Sequence, residues 1–400
     1  MTLKNTLYQW QGKTKQGQIV SGEITALSIN LAIASLQKKE IKFLSIRKKR
    51  HPIFHKKVSA LDIIIFFRQL AALVFAGISI AQAIQILGQN AEHIKLLRIL
   101  SSIKEDIAIG NGLAYGLQKF PVYFDEVTCN LILAGEKSGT LDIMLDRIAQ
   151  HKERLFMLKN KIKQALFYPI MILGVAVMVT VVMLIFVVPR FTELFQNMHA
   201  TLPAFTLDVI HLAYFLQNHG KIILFLIITA ISSYFYLKKR SAYVKRLNDL
   251  ILLNLPVMGI SLQKFILACW ARSLTTIFAA GIPITEALKI LTHSTGNILY
   301  KNAIQALYLD ISAGKQLHFA MQNCKLFPPM MVQMVQIGEE SGALEKMLTK
   351  AADFYEADLD HMISHLNRLL EPLIMVILGV VIGGLVIAMY LPIFKLGAVI

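Results

Sequence analysis

The chain has 400 residues, 55% of them hydrophobic and 16% charged, with a mean hydropathy of +0.56 and a net charge of +16. Soluble domains sit near about 45–50% apolar and about 25% charged, so this composition argues against a wholly soluble enzyme and a disordered chain. It also leaves too much polar sequence for a fully embedded transporter. Cys129, Cys269 and Cys324 are far apart with no C-x-x-C, which speaks against a disulfide framework or a zinc knuckle.

Residues 1–20 hold Lys4, Lys13 and Lys15 and no apolar run, so the N-terminus is expected in the cytoplasm. Leu7–Gln11 and Gln18–Ile24 alternate around a Gly/Lys-rich turn, which predicts a hairpin. A short amphipathic helix is predicted over Ile29–Lys38 and a third strand over Lys42–Ile46. Arg47–Lys57 (RKKRHPIFHKK) reads as a basic linker near the inner leaflet rather than a nucleic-acid arm. Residues 1–58 then form a small α+β domain plus linker.

Three segments are candidates to cross a bilayer. Ile170–Val188 and Leu373–Leu391 each run 19 residues without a charge, and Ile222–Leu237 runs 16. A helix of about 20 residues spans the roughly 30 Å hydrocarbon core. Pro169 and Pro189 bracket the first span, Pro372 and Pro392 the last. Lys152, Arg154, Lys159, Lys161 and Lys163 precede the first span, and Lys238, Lys239, Arg240, Lys245 and Arg246 follow the second. Between them, residues 190–220 hold Arg190 and Lys221 lies just beyond. Positive charge stays on the cytoplasmic side. The expected order is therefore a first cytoplasmic bundle at 59–168, a span at 169–189 and a periplasmic segment at 190–220. A span at 221–237, a second bundle at 238–371, a span at 372–392 and a periplasmic tail at 393–400 complete it. Residues 1–168 carry 24 basic and 12 acidic side chains, a surplus that an anionic membrane face explains better than nucleic acid.

The chain repeats itself. Arg68–Leu87 and Arg272–Leu291 agree at nine of twenty positions, and Gly135–Ala149 and Gly338–Ala352 at eight of fifteen. The four prolines obey the same offset of 203 residues. The copies are parallel in topology, unlike the inverted repeats of many transporters. Within each copy, apolar residues recur at helical spacing, with Gly77 and Gly281 where one helix ends and the next begins. Short turns between antiparallel helices predict compact bundles.

The most informative pair is G-E-x-S-G. Gly135 and Gly338 suit a left-handed helix end, and Ser138 and Ser341 suit an N-cap of the next helix. Asp142 and Glu345 then fall in its first turn. Together with Gly139 and Gly342 this is turn chemistry, but it does not demand Glu136 and Glu339. An acid present in both copies implies a structural ion pair or a contact with a partner. In the last span, Gly379 and Gly383 form a G-x-x-x-G that permits close helix packing.

Other chemistry fails on its own terms. Gly12-Lys13-Thr14 lacks the Gly five residues earlier that a phosphate loop needs, since Leu occupies position 7. His361 and His365 share a helix face but have no third ligand, and Glu356, Asp358 and Asp360 diverge around a helix. No nucleophile motif is present, and the runs Ile170–Val188, Ile222–Leu237 and Leu373–Leu391 carry no Asp, Glu, Lys, Arg or His of the kind ion pathways use. No catalytic, cofactor or metal residue is expected.

Two tandem helical domains, each with G-E-x-S-G and each feeding a span, resemble the inner-membrane platform proteins of type IV pilus and type II secretion machines. The likeness covers nearly the whole chain. Phe124-Asp125, Cys129-Asn130-Leu131, Ala165-Leu166-Phe167-Tyr168-Pro169, Val188-Pro189-Arg190-Phe191, Leu202-Pro203-Ala204-Phe205-Thr206 and Tyr390-Leu391-Pro392-Ile393-Phe394 resemble the pilus branch in particular. The resemblance implies a mainly α, non-enzymatic inner-membrane protein that forms homo-oligomers. It implies coupling of cytoplasmic assembly and retraction ATPases to insertion and extraction of pilins, beside inner-membrane alignment proteins. A type II secretion platform and a membrane transporter are the alternatives.

Overall fold

The computed structural model describes residues 6–13, 19–26, 29, 33, 42–48, 58–90, 93–197, 202–254 and 258–397. Contacts divide the chain into a unit of residues 1–59 with 88–100 and a unit of 60–87 with the remainder from 101. In the first unit, strands β1 (Thr6–Lys13), β2 (Ile19–Ala26) and β3 (Lys42–Lys48) form an antiparallel sheet in the order β2–β1–β3. The third strand thus takes in Arg47 and Lys48, expected in the linker. The register between β1 and β3 shifts at Gln11/Gly12. Gly12 and Lys13 are ladder residues opposite Val20 and Ile19, not a phosphate loop opening a helix. Most of the helix expected over Ile29–Lys38, and the basic linker beyond Lys48, lie outside the described residues.

From Ala60 onward every described element is helical. The first set is α1 (Ala60–Phe75), α2 (Ile80–Gln89), α3 (Ile94–Ala108), α4 (Leu113–Gln118), α5 (Glu126–Ser138) and α6 (Leu141–Val182). A π-helical turn at Met183–Val187 leads into α7 (Val188–Asn197), and α8 (Ala204–Arg240) and α9 (Ala242–Asn254) follow. The second set is α10 (Met258–Ala279), α11 (Ile284–Ser294), α12 (Ile298–Ser312), α13 (Leu317–Gln322), α14 (Pro329–Glu340) and α15 (Leu344–Gly397).

Helical periodicity explains the cores. On α1 the buried residues Ile63, Ile64, Phe66, Phe67, Leu70 and Ala71 recur at the three- and four-residue spacing of one face. Phe67 meets Phe124 edge-on at 5.8 Å, and Phe66 packs on Phe124 at 6.1 Å. At the matching positions of the second set, Trp270 packs on Phe327 at 5.1 Å. Among the described residues, the six glycines with positive φ form three pairs at the repeat offset: Gly77 and Gly281, Gly110 and Gly314, Gly139 and Gly342. Left-handed backbone strains residues with a Cβ, so these turns select glycine.

Among the described residues, three helices are long and apolar enough to cross a membrane, within Leu141–Leu194, Ala204–Lys238 and Leu344–Pro392. No residue in the most apolar window of α8 is buried, as expected of a lipid-facing surface. The bent pair α9–α10, angled at 108°, is apolar enough to count as a fourth. On α10 that hydropathy belongs to a protein core instead: Leu267, Ala268, Ala271 and Leu274 have no exposed surface. Pro169 and Pro372 do not start the spans as separate helices. They lie inside α6 and α15, which run unbroken from the bundle-forming sequence into the apolar stretch.

Candidate functional site

The G-E-x-S-G segments do not act as the turn chemistry alone suggested. Gly135 and Gly338 lie inside α5 and α14, not at their ends. A Cβ on Gly135 would meet Met144 Cγ at 2.8 Å, and one on Gly338 would meet Leu344 Cα at 2.9 Å. Both glycines therefore admit the following helix at close range. The left-handed positions fall four residues later, at Gly139 (φ 72°) and Gly342 (φ 68°). Ser138 and Ser341 do not cap the next helix. Their hydroxyls donate back to Ala134 O at 2.9 Å and Ile337 O at 2.5 Å. Asp142 and Glu345 do occupy the next helix's first turn.

The two glutamates have partners inside the protein. Glu136 accepts hydrogen bonds from the backbone N–H groups of Leu113 and Ala114, at the start of α4. Glu339 accepts from Leu317 N at 2.7 Å and His318 N at 2.9 Å, at the start of α13. The His318 ring adds a contact from Nδ1 at 2.7 Å. Each acid satisfies N–H groups that a helix start leaves without an intrahelical partner. A Cβ at Gly112 would sit 2.7 Å from Glu136 Oε2, which accounts for glycine before α4.

An arginine lies across each set at the repeat offset. Arg68 on α1 donates to Glu153 through Nε at 2.9 Å and through Nη2 at 2.5 Å, and to Asp146 at 2.9 Å. Arg272 on α10 donates to Glu356 at 2.7 Å and Asp353 at 2.5 Å. Arg154 on α6 approaches Asp353 and Glu356 at 3.9 Å, and Lys161 pairs with Asp360 at 2.7 Å. Asp358 pairs with Lys264 at 2.7 Å. Glu356, Asp358 and Asp360 thus each meet a base: Glu356 and Asp360 link α15 to α6, and Glu356 and Asp358 link it to α10. His361 and His365 are exposed.

The spans converge where two prolines interrupt their hydrogen bonding. Leu184, Val188, Ile210, Ala213, Leu385 and Met389 form a shared buried cluster. Pro189 has no N–H for the Ile185 carbonyl four residues back, and Gln217 Nε2 donates to that carbonyl at 2.7 Å. Pro392 likewise cannot serve Ala388, whose carbonyl accepts from Thr206 Oγ1 at 2.7 Å. Thr206, Ile210, Ala213 and Gln217 share one stripe of α8 by their spacing. The middle helix therefore services equivalent defects in both flanking spans. Gly379 and Gly383 contribute no close approach within the chain, since a Cβ on either meets nothing within 4 Å.

Sequence reasoning missed the arginine pairs and the α8 donors. The offset could have found the first, because Arg68 and Arg272, and Glu153 and Glu356, recur with the repeat. Thr206 closes the segment Leu202–Thr206 that carried the resemblance, but neither it nor Gln217 is marked in the sequence as a donor to a distant carbonyl.

These features define a polytopic helical membrane protein in which one set of turns, caps and ion pairs occurs twice, each followed by a proline-interrupted span. The profile of the type II secretion system (T2SS) protein F family matches residues 66–189 and again 270–392, and that of its N-terminal domain matches 5–47. The chain belongs to this family. It is 41% identical to the type IV pilus assembly protein TapC of Aeromonas hydrophila, over 98% of this chain and 95% of that one. It is 42% identical to the type IV pilus assembly protein PilC of Pseudomonas aeruginosa, over 92% and 100%. Identity to the type II secretion system protein F of Vibrio cholerae is 28%, over 96% of each.

Proposed function

We propose that the chain is the inner-membrane platform of a type IV pilus machine. The observation that carries this is the gradient of identity, 33–42% to pilus and fimbrial assembly proteins against 28–30% to type II secretion F proteins, each over 87% or more of this chain. In this reading the protein is not an enzyme. It receives mechanical input from assembly and retraction ATPases and passes it to pilins at the bilayer, as a homo-oligomer beside alignment proteins. The unbroken helices α6 and α15 support the reading. A helix is stiff along its axis, so a displacement at Leu141 or Leu344 is carried along α6 or α15 toward the apolar stretch, with Pro169 and Pro372 the points at which each helix gives.

The arrangement proposed is the one the charges favour: a small N-terminal α+β domain at 1–58, bundles at 59–168 and 238–371 in the cytoplasm, and 190–220 in the periplasm. The matched glycine turns, glutamate caps and arginine pairs support two bundles of one fold. Impermeant thiol labelling of whole cells, in a background without Cys129, Cys269 and Cys324, tests the orientation. Phe205→Cys should label, and Gln150→Cys and Gln305→Cys should not; the reverse pattern inverts the topology. Deleting the gene tests the function. Loss of surface pili, restored by the wild-type chain, is expected. Normal pili with loss of protein secretion would assign the chain to a type II machine instead.

A further inference from the structure

Of the apolar sequence in the bent pair α9–α10, the part on α10 fills a core, but the part on α9 faces outward. Tyr243, Leu247, Leu250 and Ile251 recur at the i, i+4, i+7 and i+8 spacing of one helix face and are 36–75% exposed. The opposite side holds α9 to the second set: Asp249 is buried and accepts from Ile298 N at 3.0 Å, at the start of α12. With 13 residues, about 20 Å in length, α9 is too short to cross a hydrocarbon core of roughly 30 Å.

The position of α9 says what covers the outward face. One residue, Ser241, separates it from α8. The Ser241 backbone is extended (φ −108°, ψ 118°), which ends α8, and its hydroxyl accepts from Val244 N at 3.5 Å, at the start of α9. Tyr234, seven residues before Ser241, donates its hydroxyl to Asn248, seven residues after it. The helix α9 therefore folds back beside the last turns of α8 instead of running out into solvent. Those turns carry the side chains typical of a bilayer–water boundary. Lys238 Nζ lies 5.9 Å from the Tyr234 ring, and Arg240 Nη1 donates to the Tyr236 hydroxyl at 2.8 Å. Arg246, three residues after Tyr243 and four before Leu250, is exposed at the border of the apolar face. The one acid on α9, Asp249, is engaged on the other side.

An outward apolar face edged by a base, one residue from a span, is the pattern of a helix lying in the membrane interface. We propose that α9 lies in the leaflet at the Lys238 end of α8, which is the cytoplasmic leaflet in the arrangement above. Tyr243, Leu247, Leu250 and Ile251 rest against acyl chains, and Arg246, Lys238 and Arg240 reach the anionic headgroups. Through Asp249 the helix then ties the second set to the membrane surface. The proposal rests on α8 being a span, and not on which machine the chain serves.

The test uses the full chain without its three cysteines, reconstituted in vesicles of phosphatidylcholine and phosphatidylglycerol. Single cysteines carry a fluorophore, quenched either by iodide on both sides of the membrane or by spin-labelled phosphatidylcholine. Labels at Leu247→Cys and Ile251→Cys should be quenched by the lipid, and several-fold less by iodide than a label at Gln150→Cys. Gln150 is exposed on α6, 20 residues or about 30 Å before Ile170. Iodide quenching equal to that at Gln150, with none by lipid, means a face open to water. Protection from both quenchers means a protein partner, such as a second copy. Either result overturns the proposal. A label at Phe225→Cys, exposed in the apolar stretch of α8, reports the span separately. Lipid quenching there and none on α9 rejects the α9 assignment alone, and none at either site rejects the span as well. Leu247→Glu with Ile251→Glu should raise iodide quenching at Tyr243→Cys several-fold, toward the Gln150 level, and an unchanged value counts against the proposal. If that variant does not fold, Leu250→Cys repeats the quenching test on the intact face, with the same outcomes deciding.

Discussion

Glu136 and Glu339 show how burial of a neighbour changes the meaning of an acid. As exposed charges they would suit a partner, and reversal to Lys would leave protein level intact. As caps they hold helix starts, so Glu136→Ala and Glu339→Ala should each lower stability by about 0.5–2 kcal/mol, the range for losing a capping side chain. Gln, which keeps an acceptor oxygen, should cost less than Ala, and Lys should cost more. Thermal unfolding of the purified chain checks the order; Lys variants melting with wild type would return the glutamates to a partner role. Asp125 offers a pH readout. Burial raises its pKa, but Lys152 and the hydrogen bonds from Thr128 outweigh this and hold it below the usual carboxylate value. A lowered native pKa means stability that is present above the unfolded pKa of about 3.9 and lost as pH falls through the native value. The gap in melting temperature between wild type and Asp125→Asn should therefore be full at pH 7 and close below about pH 4. Cys129 differs: burial pushes its thiol up to about 12, so it should resist alkylation in the folded chain until denaturant is added.

At the scale of elements, the prolines and α8 form a testable unit. Thr206→Val and Gln217→Leu each leave a carbonyl in an apolar setting without its donor, a loss on the order of 1–3 kcal/mol. Restoring the backbone N–H should remove that loss. In Pro392→Ala the Ala388 carbonyl regains an intrahelical donor, so adding Thr206→Val should then cost little; Pro189→Ala should likewise protect against Gln217→Leu. Double-mutant cycles read by unfolding in detergent measure this coupling. Additive costs in both pairs would mean that α8 does not service the proline sites. The arginine pairs make a second contrast. Arg272 is 9% exposed at its side chain and Arg68 45%. Removing one partner of a buried pair costs about 3–5 kcal/mol, while exposed pairs are worth about 0–1. Arg272→Ala should thus unfold the chain or strongly lower its melting point, and Arg68→Ala should do neither.

Across the whole molecule, duplication is used asymmetrically. The second set receives α6 of the first: His151 is buried beside Ser273 and Thr276, with contacts of 3.4 Å, and Arg154 and Lys161 reach acids on α15. The corresponding face of the first set, at Leu61, Ile65, Phe156 and Met157, borders an open apolar cavity of about 740 Å³. One sequence pattern therefore yields a covered face in one copy and an open one in the other.

The sequence by itself determined the features that depend on composition and period. Uncharged runs of about 20 residues mark helices fit to cross lipid, because a single apolar segment of that length satisfies its own backbone only as a helix. The offset of 203–204 residues revealed the repeat, and the strands of the N-terminal sheet were legible within one or two residues from their alternation. Only the tertiary structure decided what each polar group touches. Glu136 meets Leu113 across 23 residues, Thr206 meets Ala388 across 182, and Lys161 meets Asp360 across 199. Local pattern carries no information about such distant partners, because a hydrogen bond depends on atoms a few ångströms apart in space and the chain brings them together only after its helices have packed.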